Sequence, residues 1–289
     1  MPVTLGHEFS GTVEEVGDGI VDIKPGDRVV VEPIIYDETC DACQSGLINC
    51  CAQTGYIGLS GRGGGLSDHV VVPRKSVYRL PDNVPLDVGA LVEPLAVAWH
   101  AVNISPFQPN DSTLVLGGGP IGLAVVQCLK ARDAKNVIVS EISERRKQFA
   151  RDFGADHVLD PTKDDIIAKC KELCGGQGPQ VAFDAAGAQA GLMPAFLALR
   201  ARGTLVNIAL WGRAASFEPN PILVKEKRYY GSHTYVKGEF QGVLDAISSG
   251  KLKPEAMITR KIRLEDTEEE GIKALIHDKD NQVKILVEI

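Results

Sequence analysis

The sequence has no apolar run approaching the roughly 18 residues of a membrane-spanning helix, so none is expected. Its opening segment carries Glu8, Glu14, Glu15 and Asp18 where a secretory signal needs a basic end and an apolar centre, and the expected location is therefore the cytoplasm. An excess of positive charge is also missing. Against 31 Lys and Arg stand 38 Asp and Glu, a formal net charge of -7, which gives no electrostatic footprint for nucleic acid or an anionic membrane. Small-molecule chemistry is what that leaves. Internal repeats and low-complexity tracts are absent, and 289 residues with 44% hydrophobic and 24% charged make an ordinary globular composition, long enough for two domains.

Cysteine is present in an odd number, seven, and four of the seven fall between Cys40 and Cys51. In a cytosolic chain such clustering points to metal rather than to disulfides. The stretch "YDETCDACQSGLINCCAQTG" is too irregular to supply its own core, and zinc held by thiolates is the usual remedy. A redox CxxC pair would open a helix after a strand, whereas Cys40 and Cys43 lie among turn residues. Cys128 reads as core packing. Cys170 and Cys174 share a helical face with no other ligand type nearby.

The first hundred residues are β-rich, with "GTVEEVG", "DRVVVEP" and "DHVVVP" as short β-branched strands around the cysteine loop and a glycine-rich loop, "GYIGLSGRGGGLSD". From about residue 111 strands alternate with helices. "STLVLGGG", "NVIVSE", "DHVLD", "QVAFDAAG", "TLVNIAL" and "RYYGSH" read as six strands, and "SERRKQFARDFG" as a helix with a capping serine and a closing glycine. The pattern predicts an α/β doubly wound parallel sheet, buried on both faces. After about residue 236 come a helix, the strand "MITRKIRL", an acidic helix near 265 to 277 and a last strand "VKILVEI". This tail is too short for its own core and is expected to pack on the N-terminal β domain.

Within that sheet, Gly117-x-Gly119-x-x-Gly122 follows a strand and opens a helix, and Glu141 ends the next strand, 19 residues on. The first glycine serves a tight turn, the second lets backbone approach a pyrophosphate, and the third allows close helix packing. The helix that starts at Pro120 supplies its positive dipole end, and Ile121, unlike the proline, a free N–H, for the phosphates. Glu141 accepts a ribose 2'-hydroxyl and repels a 2'-phosphate, favouring NAD over NADP; Arg145 and Arg146 temper that preference. Ligands in such sheets lie beyond the carboxyl ends of the strands, so Asp184 to Gly187, with Ala185 and Ala186, and Asn207 to Leu210, with Ala209, are further cofactor candidates. Ordinary strand termination is the alternative at both.

At the front, Gly6-His7-Glu8 places two metal-ligand types side by side. Their side chains converge only if the backbone leaves strand geometry, a departure that Gly6 makes cheap. Together with the cysteine loop, "LPDNVPLDVGALVEPLAVAWHAV" and "LGGGPIG", the segment "GHEFSGTVEEVG" resembles the zinc-dependent medium-chain dehydrogenases, most closely their butanediol and sorbitol dehydrogenase branch, from residue 1 to 289.

That resemblance implies a GroES-like catalytic domain over 1–103, a Rossmann NAD-binding domain over 104–236 and a return to the catalytic domain over 237–289. It implies an NAD-dependent and zinc-dependent alcohol or polyol dehydrogenase, a homodimer or homotetramer, with a diol or polyol as small-molecule substrate. The catalytic zinc is assigned to His7, Glu8 and Glu93, and the structural zinc to Asp37, Cys40, Cys43 and Cys51, with Asp37 standing where the family has its first cysteine and Cys50 as an alternative fourth ligand. For Glu93 alone a helix-start carboxylate is the simpler reading, and the resemblance reverses it. The family also has β structure before its GHE motif that carries a first cysteine ligand, so the catalytic domain is expected to be N-terminally incomplete and its zinc weakly held. The rival expectation is a catalytically impaired nucleotide-binding or oligomerisation chain. A zinc-free medium-chain reductase would have no use for the cysteine loop. Trp99, His100 and Tyr56 are candidates for pocket lining, with core packing the alternative for Trp99.

Overall fold

Short β-branched runs interrupted by Gly, Pro and Asp give short strands, and the N-terminal segment is built from them. The structure is a computed structural model that describes residues 3–60 and 63–289; Gly61 and Arg62 of the glycine-rich loop lie outside the described residues. Strands β1 (Ser10–Thr12), β2 (Arg28–Val31) and β5 (Val77–Arg79) form an antiparallel sheet with β2 in the middle. Val30 and Val31 of the central strand are buried. Strands β3 (Ile34–Ile35) and β4 (Gly55–Tyr56) pair antiparallel, and the chain between them carries the short helix α1 (Asp41–Gln44) and the cysteines. Helix α2 (Leu86–Gly89) then leads into α3 (Val92–Ile104).

The segment "DHVVVP", expected as a strand, is not one: residues 68–73 have no ladder partner, and Val71 is 92% exposed. A β-branched run becomes a strand only where a neighbour takes its backbone hydrogen bonds.

From residue 112 the strands are β6 (Ser112–Leu116), β7 (Asn136–Ser140), β8 (His157–Leu159), β9 (Val181–Asp184), β10 (Thr204–Asn207) and β11 (Arg228–Gly231). Helices α4 (Pro120–Lys130), α5 (Glu144–Asp152), α6 (Ile166–Leu173), α7 (Gln189–Ala198) and α8 (Asn220–Leu223) connect them. All six strands are parallel, in the order β11-β10-β9-β6-β7-β8. Leu114, Ile138, Ala182 and Leu205 are fully buried, as a sheet covered on both faces requires. The order reverses between β6 and β9, the switch point where such sheets open a crevice beyond the strands' carboxyl ends. Ser143 caps α5, its hydroxyl accepting from the Arg146 N–H at 3.4 Å.

The tail forms α9 (Glu239–Ser248), β12 (Ile258–Arg263), α10 (Ala274–His277) and β13 (Lys284–Glu288), and β12 pairs in parallel with β13. The expected acidic helix is a 3₁₀ turn at Leu264–Asp266, then π-helical turns over Thr267–Lys273 before α10. Glu268, Glu269 and Glu270 crowd its first turn, and Lys273 bridges to Glu268 and Glu269. The chain divides into two compact units, Met1–Ala96 with Thr234–Ile289 (unit 1) and Val97–His233 (unit 2). Among the described residues no helix is long and apolar enough to cross a membrane.

Candidate functional site

In unit 1 the backbone at Gly6 has φ +101, a left-handed conformation that turns the chain out of strand geometry just before His7. The glycine-rich loop holds that turn. The Gly65 N–H donates to Gly6 O at 2.8 Å and the Leu66 N–H to Leu5 O at 2.9 Å. Such contact needs bare backbone: a Cβ on Gly58 would lie 2.1 Å from Gly6 O, and one on Gly64 2.3 Å from Thr4 O. The sequence signal for this role is the glycine density of the loop, which nothing local in the sequence ties to Gly6.

With the turn fixed, one ligand atom each from His7, Glu8 and Glu93 lies within 4.8 Å of the others. Ligands about 2.1 Å from a tetrahedral zinc stand roughly 3.4 Å apart, so the donors need only a small inward movement to close on an ion. Glu93 sits in the first turn of α3 and is buried; burial pushes its carboxyl up to about 8, and the negative charge of Glu8 adds to the effect. Burial likewise holds the His7 imidazole below its ordinary value. Two carboxylates and an imidazole with one of the acids buried make a place where a cation relieves an electrostatic cost.

Two further residues, unseen from the sequence, brace this cluster. Tyr235, fully buried, donates its hydroxyl proton to Glu93 Oε1 at 3.2 Å, and Lys284 on β13 pairs with Glu8 Oε2. Both come from the tail, more than 140 residues from their partners, and no local pattern marks them.

In the cysteine loop, Asp37, Cys40, Cys43 and Cys51 bring one ligand atom each within 4.8 Å of one another, with Cys40 Sγ and Cys51 Sγ 3.9 Å apart. Cys51 Sγ accepts from the Asp37 and Gln53 N–H groups, both at 3.3 Å. Asp37 Oδ1 accepts from Thr39 and Cys40 N–H at 2.7 and 2.9 Å, which holds its carboxyl well below the usual range and leaves Oδ2 for a ligand. Backbone N–H groups lower Cys40, while burial pushes Cys43 up to about 12. Thiolates this close fit a bound cation, and the donor set of three sulfurs and one oxygen suits zinc. Cys50 is exposed and stands outside the group.

In unit 2 the glycine turn joins β6 to α4. Gly117 has φ +92 and Gly119 is the N-cap of α4, with Pro120 following. At Gly122 a Cβ would lie 2.0 Å from Gly117 O, so the close helix packing needs glycine there. Ala186 lies against Gly117, and Ala209 against Gly187, which brings the ends of β9 and β10 beside the turn. Glu141 Oε2 accepts from the Gly118 N–H at 2.7 Å, and Oε1 from the Ile142 and Ser143 N–H groups at 2.7 and 2.8 Å. A carboxylate has about four acceptor positions, so Glu141 fixes the turn and keeps one position on Oε2 for a hydroxyl. The Arg146 guanidinium approaches Gly119. Asn207 is used internally, its Nδ2 donating to Ala209 O at 3.1 Å and its Oδ1 accepting from Trp211 Nε1 at 2.9 Å. Trp99 packs beneath the Arg132 guanidinium at 3.9 Å, His100 is buried, and Tyr56 is half-buried.

Residues 1–82 match the family described as alcohol dehydrogenase GroES-like domain, and residues 120–249 the family described as zinc-binding dehydrogenase. The (R,R)-butanediol dehydrogenase of Bacillus subtilis is 42% identical over 99% of this chain and 81% of its own. The crystal structure of 2R,3R-butanediol dehydrogenase from that organism superposes with a TM-score of 0.93 at 41% identity, over 100% of this chain and 81% of the other. A Saccharomyces cerevisiae protein described as a probable diacetyl reductase forming (R)-acetoin is 37% identical over 99% of this chain and 74% of its own. Among similar structures, one from Sinorhizobium meliloti is bound to NADP (TM-score 0.89, 32% identity, 99% of this chain and 83% of the other). One from Escherichia coli is complexed with NADH (TM-score 0.92, 28% identity, 99% of this chain and 83% of the other).

Proposed function

Because the chain belongs to the zinc-binding medium-chain dehydrogenase family, we propose that it is an oxidoreductase that removes a hydride from a secondary alcohol, a vicinal diol such as 2,3-butanediol or a related polyol, and passes it to NAD. The reading rests above all on the approach of His7 and Glu8 to Glu93, residues 86 positions apart that have no packing reason to gather two acids and an imidazole.

Zinc, when held by His7, Glu8 and Glu93, supplies Lewis acidity that lowers the pKa of the bound alcohol. The protein's own groups prepare that place. Tyr235 fixes the rotamer of the buried Glu93, Lys284 offsets the charge of Glu8, and the Gly6 turn aims His7. Asp37, Cys40, Cys43 and Cys51 hold a second, structural zinc that orders the loop between β3 and β4. In unit 2 the turn from Gly117 to Gly122 and the start of α4 receive the pyrophosphate, and Glu141 Oε2 accepts the ribose 2'-hydroxyl, which selects NAD over NADP.

The free thiols suit a reducing cytoplasm. The exposed edge strand β11, with Tyr229 and Tyr230, suits self-association into a homodimer or a homotetramer. The test is NADH formation by the zinc-loaded chain with 2,3-butanediol, xylitol and sorbitol, run in parallel with NADP. NADH formed from a diol, and less product with NADP, is the expected result; a zinc-replete chain inert toward every diol and polyol overturns the reading.

A further inference from the structure

Unit 2 holds a second polar site, a cavity of about 180 Å³ at the amino ends of its strands, where β6 begins at Ser112 and β7 at Asn136. The glycine turn follows the other end of β6, and five residues of strand separate the two ends by roughly 13 Å. With each water occupying about 30 Å³, the cavity has room for several waters or a small hydrated ion.

No carboxylate lines it. Two cations do, Lys135 and Arg200, and neither forms an ion pair among the described residues. Gln180 adds a fixed donor: its Oε1 accepts the Ser112 N–H at 3.0 Å, which sets the orientation of the amide and leaves the Nε2 hydrogens for a ligand. Asn110 and Gln177 contribute two more carboxamides. Asp111, next in sequence to Asn110, is turned to its own loop, accepting from the Gln108 N–H at 2.9 Å.

Basic side chains at such a place often serve to neutralise helix carboxyl ends, and α6 ends here. In this unit that work is done by other groups. The last carbonyls of α6 accept from the Cys174, Gly175 and Gly176 N–H groups at 2.7 to 3.3 Å, and Leu173 O accepts from Asn136 Nδ2 at 3.3 Å. The Cys174 thiol on the wall is raised by burial, so it stays neutral and adds no negative charge. What remains is a donor-rich concavity carrying two uncommitted positive charges.

We propose that this cavity binds a small oxyanion of the phosphate class, as inorganic phosphate or as the phosphate of a small ester, at a site separate from that of the dinucleotide. Lys135 and Arg200 provide the charge, and Gln180 the directed hydrogen bond.

The test titrates inorganic phosphate into the full chain at fixed ionic strength, with saturating NADH keeping the glycine turn occupied, and reads heat and phosphorus NMR. Saturable one-site binding in the millimolar range or tighter is expected, with Lys135→Ala and Arg200→Ala each weakening it by about tenfold. These side chains are exposed, so thermal unfolding of the variants should match the parent. A second readout is peptide-resolved alkylation of Cys174 by iodoacetamide, which phosphate should slow while leaving the exposed Cys50 unaffected. A parallel titration with glycerol 3-phosphate separates the sources: tighter binding than phosphate identifies the ester, weaker binding the free ion. Absence of saturation up to about 20 mM of either anion, or binding that survives the double variant unchanged, overturns the proposal.

Discussion

The glycine turn of unit 2 takes its parts from one continuous stretch, Gly117 to Glu141, whereas the cluster of unit 1 joins His7 and Glu8 to a carboxylate at position 93 and leans on the backbone of Gly58 and of Gly64 to Leu66. Both are glycine constructions, but the glycines act differently. At Gly122 the glycine permits a helix to close on its own preceding turn, a contact of five residues' separation. At Gly58 and Gly64 it permits one loop to lie on a segment more than fifty residues away. A local device survives as long as its own strand and helix form. The non-local one fails whenever the loop does not dock, even with His7, Glu8 and Glu93 all in place.

The largest effect should come from the proposed zinc ligands. His7→Ala or Glu93→Ala should lower kcat with a diol by about 10³-fold or more, since several kcal/mol of transition-state stabilisation are removed, while NADH binding by fluorescence stays unchanged. Next come the paired glycine variants, which set the two plans directly against each other. Gly58→Ala places a Cβ 2.1 Å from Gly6 O at φ +82, and Gly122→Ala one 2.0 Å from Gly117 O. Each should cost about 3 kcal/mol locally. The first should lose zinc, measured by elemental analysis, and keep NADH; the second should keep zinc and lose NADH. If both losses accompany either variant, the two sites are not independently built.

A smaller change is expected of Tyr235→Phe, which removes the hydroxyl that donates to Glu93 at 3.2 Å. Zinc affinity by chelator competition should fall about tenfold with the fold intact, as outer-shell partners of metal ligands usually show. The smallest effect concerns acid. In unit 2, Lys147 Nζ lies 2.6 Å from Asp160 Oδ2, and with Thr162 it holds the Asp160 carboxyl well below its ordinary range. A depressed carboxyl lends stability that is present above its unfolded value of about 3.9 and lost as pH falls through the folded one. Asp160→Asn should therefore lower Tm at neutral pH and flatten its decline below about pH 4; a parallel decline in both proteins would show that the pair contributes nothing.

The six parallel strands were legible because a sheet buried on both faces writes continuous apolar runs, as in β6, β7 and β9. "DHVVVP" has the same composition and is no strand, because composition records a preference and pairing requires a neighbour. Of the candidate site, the residue types, the glycine spacing and the clustering of four cysteines were readable, whereas Asp37 was named only through the family resemblance, with Cys50 as the alternative, and its place beside Cys40, Cys43 and Cys51 needed the fold. Tyr235 and Lys284 were not readable, since their meaning lies wholly in partners across the chain. Glu141 was read as a ribose acceptor, while its part in holding Gly118 needed the geometry.

The sequence by itself determined what is local: the strand and helix periodicities, the glycine turn, the clustered thiols and the adjacent imidazole and carboxylate of His7 and Glu8. Glu93 was tied to His7 only through the family resemblance, and it is the tertiary structure that brings the two together, docks a glycine loop against Gly6, and delivers a tyrosine and a lysine from the tail to that cluster. The physical reason is range. Backbone propensity and side-chain periodicity act over a few residues, whereas close packing and charge pairing act between any groups the fold brings within a few ångströms.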